Sequence, residues 1–217
     1  MKKGLRACAV GMALIAGLSA SAEDFTPRNP MTLWYDVPST ATGVKNVWME
    51  YSLPIGNGQL GGSLFGGLNK DEIQFNEKTL WTGKPSDMQG YGGGYGQYKN
   101  FGSIFVEDLS GVFLPGKDGE VKDYVRSLDL QEGIGRVHCT SAEYMTAYDR
   151  TYFVSNPDKV MVARYQASGK KKLHLLFSFA PGKDINASPV VYATDAGSLP
   201  YANFHGQLET VAYQATM

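Results

Sequence analysis

The sequence predicts an all-β fold built as an antiparallel β-sandwich. Three observations predict it. Short runs of alternating apolar and polar residues recur along the chain, each closed by turn-forming residues. Glycine (26), tyrosine (13) and phenylalanine (10) are plentiful, which suits pleated sheets joined by tight turns. After residue 22 no amphipathic helix of three turns can be read. With 217 residues, 43% hydrophobic and 19% charged, the chain can fill the core of one sizeable domain.

Before the sandwich lie two short segments. Lys2, Lys3 and Arg6 precede an apolar run from Ala7 to Leu18, then Ser19-Ala20-Ser21-Ala22. That order is a secretory signal peptide over residues 1–22, cleaved after Ala22, and it predicts an exported, periplasmic or secreted protein. The apolar run is shorter than the roughly 20 residues a stable membrane span needs. Residues 23–30 read as a polar leader and residues 31–217 as the folded domain.

The strands follow in order. Leu33-Trp34-Tyr35 and Tyr51 to Ile55 are the first two. Gly61 to Phe65 and Glu72 to Phe75 flank a hairpin turn at Gly66 to Asp71. Gly102 to Leu109 is the next strand. Over Val121 to Leu130, Val121, Asp123 and Val125 alternate with Lys122, Tyr124 and Arg126. Gln131-Glu132-Gly133 turns that run, and Gly135 to Ser141 returns. Met145 to Val154 comes next, turned by Asn156-Pro157-Asp158, then Val160 to Ala167. Leu173 to Ala180 is expected to return alongside that strand after the turn Ser168-Gly169-Lys170. Val190 to Ala193 and Glu209 to Gln214 are the last candidates. Because alternation continues to the end of the chain, the sandwich is expected to be incomplete at its C-terminus and part of a longer architecture.

Charge and cysteine content exclude several function classes. Without residues 1–22 the chain carries 17 basic and 21 acidic residues, a formal charge of −4. That balance does not suit a nucleic-acid or anionic-membrane binder. Cys139 is then the one cysteine, so no internal disulfide can form. It reads as a small buried residue of a strand, with His138 on the opposite face, so the two form no catalytic dyad. His138, His174 and His205 lack ligand spacing; no metal or cofactor site follows.

Gly56-Asn57-Gly58-Gln59-Leu60-Gly61 matches the glycine pattern of dinucleotide-binding loops. Such a loop must open a helix, on whose N-terminus the pyrophosphate rests. Here Gly61, Gly62, Gly66 and Gly67 would fall in its first two turns, each at a cost of about 1 kcal/mol against alanine. The stretch is therefore expected to be hairpin, its glycines allowing close backbone approach.

Read with its flanks, the same stretch is informative. The run from Leu53 to Pro85 is LPIGNGQLGGSLFGGLNKDEIQFNEKTLWTGKP, preceded by Leu33-Trp34-Tyr35-Asp36 and Trp48. Ser127 to Cys139 (SLDLQEGIGRVHC) and Tyr148 to Ser168 (YDRTYFVSNPDKVMVARYQAS) follow. In content and order these segments resemble the N-terminal domain of glycoside hydrolase family 95, the inverting α-L-fucosidases and their α-L-galactosidase relatives. The resemblance covers roughly residues 31 to 180. It departs at Gln59, where Arg is common, at Lys78, where an acid is common, and at Lys84, where Gly is common. It implies a super-sandwich domain ahead of a helical linker and an (α/α)6 barrel. That barrel carries the acid and the activated water, so no catalytic residue lies in this chain. It also implies a glycan substrate, exo-acting hydrolysis of terminal α-1,2-linked L-fucose or a related sugar. A stand-alone carbohydrate-binding or scaffold sandwich and an inactive remnant are the alternatives.

Two clusters could touch a sugar. Asn76, Glu77 and Trp81 in FNEKTLW place an aromatic face beside amide and carboxylate groups, which would suit stacking plus directed hydrogen bonds. The plainer reading has Trp81 packed under a loop, with Asn76 and Glu77 bonded to nearby backbone. Tyr91, Tyr95 and Tyr98, interspersed with four glycines, form the second cluster, which reads equally as a surface loop. Glu72, Glu77 and Asp87 are expected at solvated edges or turns rather than as catalytic acids.

Overall fold

A computed structural model describes residues 25–41, 43–83, 96–113, 121–193, 200–208 and 211–217. Its first sheet has the order β1 (Thr32–Tyr35), β6 (Val121–Asp129), β7 (Ile134–Ser141), β8 (Thr146–Val154) and β9 (Met161–Gly169). The second has the order β10 (Leu175–Pro181), β5 (Gly102–Asp108), β4 (Lys70–Glu77), β3 (Leu60–Leu64) and β2 (Leu53–Gly56). A small third sheet joins β11 (Val191–Ala193), β12 (Tyr201–Gln207) and β13 (Ala212–Thr216). All these pairings are antiparallel. Helical structure among the described residues is one 3-10 turn, Ser39–Ala41, and one short helix, α1 (Val47–Glu50). No helix there is long and apolar enough to cross a membrane.

The two five-stranded sheets enclose the main core. Alternation along β7 buries Gly135, Val137, Cys139 and Ser141 and leaves Arg136, His138 and Thr140 half-exposed. On β8 the buried set is Thr146, Tyr148, Arg150 and Tyr152. Leu53 and Ile55 from β2, Leu64 from β3 and Ile73 from β4 meet them from the facing sheet. Each such aliphatic side chain contributes roughly 1.5–3 kcal/mol by leaving water.

A second core lies at one end of the same interior. Phe75 is two residues from Ile73 and shares its face of β4. It packs on Phe101 and Phe179, which in turn pack on Phe204 of β12. Leu80, Ile185, Ala202, Tyr213 and Ala215 complete that cluster. The second sheet is thus covered by the first sheet along one part and by the small sheet along the rest.

Three sequence expectations need correction. The alternation read over Val121 to Leu130 breaks at a bulge between Lys122 and Val125, where Asp123 takes φ +54. Past it Tyr124, Arg126 and Leu128 face the core, and Val125, Ser127 and Asp129 lie buried on the other face. Residues 25–29 run over that face: Phe25 packs on Trp34 at 5.3 Å, and the Asn29 amide donates to Asp129. Second, β10 does not return beside β9; it crosses to the other sheet and pairs with β5. Third, β12 is a strand that the sequence reading passed over.

Candidate functional site

The glycine stretch forms a β-hairpin, not a phosphate loop. Between β2 and β3 the Asn57 side chain accepts from the Gln59 and Leu60 amides at 2.9 and 2.8 Å, and Gly58 takes φ +85. Asn57 also donates to the Ser155 carbonyl at 2.7 Å, which ties this turn to the β8–β9 turn.

At the other end of β3, Gly66 and Gly67 close over a buried ionic cluster. A Cβ on Gly67 would stand 2.0 Å from the Lys70 carbonyl oxygen, and Gly66 has φ +69. Beneath them Arg150 donates to the Gly67 and Leu68 carbonyls at 2.6 and 3.2 Å, and pairs with Asp71 at 3.2 Å. The Asp71 carboxylate also accepts from the Gly67 amide at 3.0 Å and the Tyr152 hydroxyl at 2.7 Å. Burial is the largest single influence and opposes the Arg150 charge, but Asp71 together with Tyr152, Cys139 and Tyr165 outweighs it and the guanidinium pKa is raised. Tyr152 is pushed well above the usual phenol value by burial and by the same carboxylate. Sequence reasoning singled out neither Asp71 nor Arg150. The available signal was Arg150 at a buried position of an alternating strand.

Asn76, Glu77 and Trp81 end up in three different situations. Asn76 points to the outer face of β4, opposite Gly61 of β3. Its Oδ1 accepts from the Glu77 amide at 2.9 Å. Glu77 holds the turn that follows, accepting from the Thr79 amide at 2.8 Å and from the Thr79 hydroxyl. Its other oxygen is buried with no hydrogen-bond partner among the described residues. Trp81 meets Tyr98 edge-on at 4.6 Å, and the two bridge as a short β pair. Tyr91, Tyr95 and Asp87 lie outside the described residues.

Outside the second sheet there is a hollow of about 420 Å³. Asn76 and Tyr98 line it, together with Trp48, Gly61, Ser63 and Gln74. Glu77 and Trp81 do not, so Trp81 reaches the hollow only by backing Tyr98. A smaller one, about 290 Å³, lies over the outer face of the first sheet, beneath residues 25–28. It holds Arg136 and the pair His138–Asp149, whose Nδ1 and Oδ1 are 2.7 Å apart. No group of three or more potential metal ligands occurs among the described residues.

Comparison with known families places this architecture. The family model for the N-terminal domain of glycosyl hydrolase family 65 matches residues 33–94 and 86–210. The chain belongs to the glycosyl hydrolase family 65 N-terminal domain family. The match runs from β1 through β12, so the family 65 N-terminal domain includes the ionic cluster and most of the hollow's lining. Alpha-L-fucosidase 2 of Arabidopsis thaliana is 28% identical over 166 residues, 64% of this chain and 19% of that protein. Probable alpha-fucosidase A of Aspergillus niger is 27% identical over 182 residues, 70% of this chain and 22% of that protein. The chain thus spans about a fifth of the length of these curated relatives.

In this family 65 N-terminal domain Cys139 is 1% exposed and faces the core, while His138 faces outward. Burial pushes its thiol up to about 11, so it stays protonated at neutral pH. It is expected to resist an aromatic disulfide reagent in the native chain and to react stoichiometrically in denaturant. Rapid labelling of the folded chain would contradict this placement.

Proposed function

We propose that this chain is the N-terminal sandwich of an exported glycoside hydrolase resembling the inverting, exo-acting α-L-fucosidases of family 95. The enzyme would remove terminal α-1,2-linked L-fucose or a related sugar from a glycan. The observation that carries this reading is the likeness of this stretch of sequence to fucosidases, in its motifs and along its length. The ordered motifs from Leu33 to Ser168 resemble that family, and the two relatives are named an alpha-L-fucosidase and a probable alpha-fucosidase. The sandwich would support the active site of an (α/α)6 barrel that follows it in the whole enzyme. Residues 1–22 would direct export.

Inversion requires an acid at the leaving oxygen and an activated water on the opposite face of the sugar, held at once. In this reading both come from the barrel. The sandwich contributes walls and positioning, and no acid of this chain is assigned a proton-transfer step. A 2-linked fucosyl oligosaccharide tests the proposal. The chain alone should release no fucose, while the chain extended through the downstream domain should turn over. Turnover by the short chain, or none by the extended one, would overturn the reading. The hollow beside Asn76 favours a second reading, a sandwich that binds carbohydrate on its own.

A further inference from the structure

We propose that the hollow on the outer face of the second sheet is a binding site for one neutral pyranose ring of a glycan. This deepens the carbohydrate reading above and rests on it. The floor is set by strand register. Gly56 pairs with Gly61, and Gly61 with Asn76, so the β2 and β3 positions in this row carry no side chain. In the next row Ser63 pairs with Gln74. Cross-strand partners point to the same face, so a hydroxyl and two amides rim a bare backbone floor. Among the described residues neither the Ser63 hydroxyl nor the Gln74 amide has a hydrogen-bond partner. Asn76 uses its Oδ1 for the Glu77 amide, and its Nδ2 is unused among the same residues.

Trp48 of α1 and Tyr98 line this hollow, 51% and 55% exposed. Two large aromatics exposed at one hollow form a patch rather than scattered single residues, and such patches mark ligand or partner sites. The Asn46 side chain caps α1 through the Met49 amide at 3.2 Å and fixes the helix that carries Trp48. Trp81 fixes Tyr98 from behind. The hollow's volume falls in the range of roughly 300–1,000 Å³ typical of small-ligand sites. Its lining includes one charged residue, Lys99, and no acid. Aromatic faces attract the polarised C–H face of a sugar ring, while amides and a hydroxyl can both donate to and accept from its hydroxyls. A nucleotide phosphate would need several cations, and this lining holds one, Lys99.

Gly61 supplies the test. A Cβ there would meet only the Ile55 carbonyl oxygen, at 3.9 Å, and its φ is not in the left-handed region. Gly61→Val therefore fits the strand while filling the floor. The chain is titrated with fucosyl, galactosyl and glucosyl oligosaccharides at millimolar concentration, followed by calorimetry and by amide shifts of β3 and β4. Binding of at least one of them is expected, weakened about tenfold or more by Gly61→Val and by Tyr98→Ala. Gly61→Val should keep the wild-type unfolding midpoint or raise it. Binding unchanged in both variants would put the sugar elsewhere and overturn the site. The absence of any binding would overturn the site too, whereas the enzyme reading stands or falls separately on turnover by the extended form. If Gly61→Val left sugar binding by the short chain intact but abolished turnover of the extended form, the hollow would be a domain contact and the proposal would fail.

Discussion

Asp71→Ala is expected to destabilise the chain by about 3–5 kcal/mol, the usual cost of stripping one partner from a buried ion pair. Asp71 is 2% exposed and Arg150 is 8% exposed. Without the carboxylate the guanidinium keeps its two carbonyl acceptors, at Gly67 and Leu68, but loses its counter-charge. The Gly67 and Glu72 amides lose an acceptor as well, and the Tyr152 hydroxyl is left with the Tyr165 hydroxyl at 3.5 Å. Each buried donor left without a partner adds a cost of order 1–3 kcal/mol where water cannot reach it. Small domains are stable by only about 5–15 kcal/mol in all, so the variant should be partly unfolded under mild denaturant. Urea unfolding followed by circular dichroism measures the effect. The pair Asp71→Leu with Arg150→Met removes both charges and should recover much of the loss. A shift below about 1 kcal/mol in Asp71→Ala would mean that water reaches the cluster and that the pair is effectively a surface salt bridge.

Local pattern made much of this fold legible. The strands β7 and β8 alternate strictly, and a sandwich face is all that such a pattern can satisfy. The glycine stretch was legible for the opposite reason: too many glycines for a helix, and a strand pattern on both sides. What escaped depends on partners far along the chain. The turn Ser168-Gly169-Lys170 looks like a hairpin turn, yet β10 pairs with β5. Nothing in the turn itself distinguishes a return within one sheet from a crossing to the other. In β12, Tyr201-Ala202-Asn203-Phe204-His205-Gly206-Gln207, polar residues and a glycine dilute the signal. Only Ala202 and Phe204 are fully covered, and the rings packed on Phe204 are Phe101, just before β5, and Phe179 of β10. The β6 bulge turns Tyr124 toward the Gly66 carbonyl, 58 positions earlier, at 2.6 Å.

The site shows the same division. The sequence groups Asn76, Glu77 and Trp81 through FNEKTLW, and of these only Asn76 lines the hollow. The grouping of Trp48, Gly61 and Tyr98 was not legible. It follows from the register of β2 and β3 and from the placement of α1, neither of which periodicity fixes. The pair Asp71–Arg150 joins positions 79 apart in sequence, and nothing local to either residue names the other as its partner.

Phe204→Ala should cost about 3–5 kcal/mol, but the loss should be concentrated in one part of the molecule. Phe204 is 0% exposed and lies 4.8 Å from the Phe179 ring and 5.9 Å from Phe101. The third sheet has only three strands, and a hairpin such as β12–β13 is marginal without an apolar face to pack on. Its attachment is the aromatic cluster that Phe204 centres. Removing that ring should let β11, β12 and β13 open as a unit while the main sandwich holds. Hydrogen exchange reads this directly. Amides of Tyr201–Gln207 and Ala212–Thr216 should exchange far faster, and those of Ile134–Ser141 should stay protected. Equal loss in both regions would show that the two cores unfold as one. Ile104 packs against both clusters, and it is the route by which such coupling would pass. The variant also bears on the hollow. Leu80, 1% exposed, belongs to the second core and is followed directly by Trp81, which backs Tyr98. Opening the small sheet unpacks Leu80, frees the Trp81–Tyr98 pair, and should weaken sugar binding through a residue that does not line the hollow.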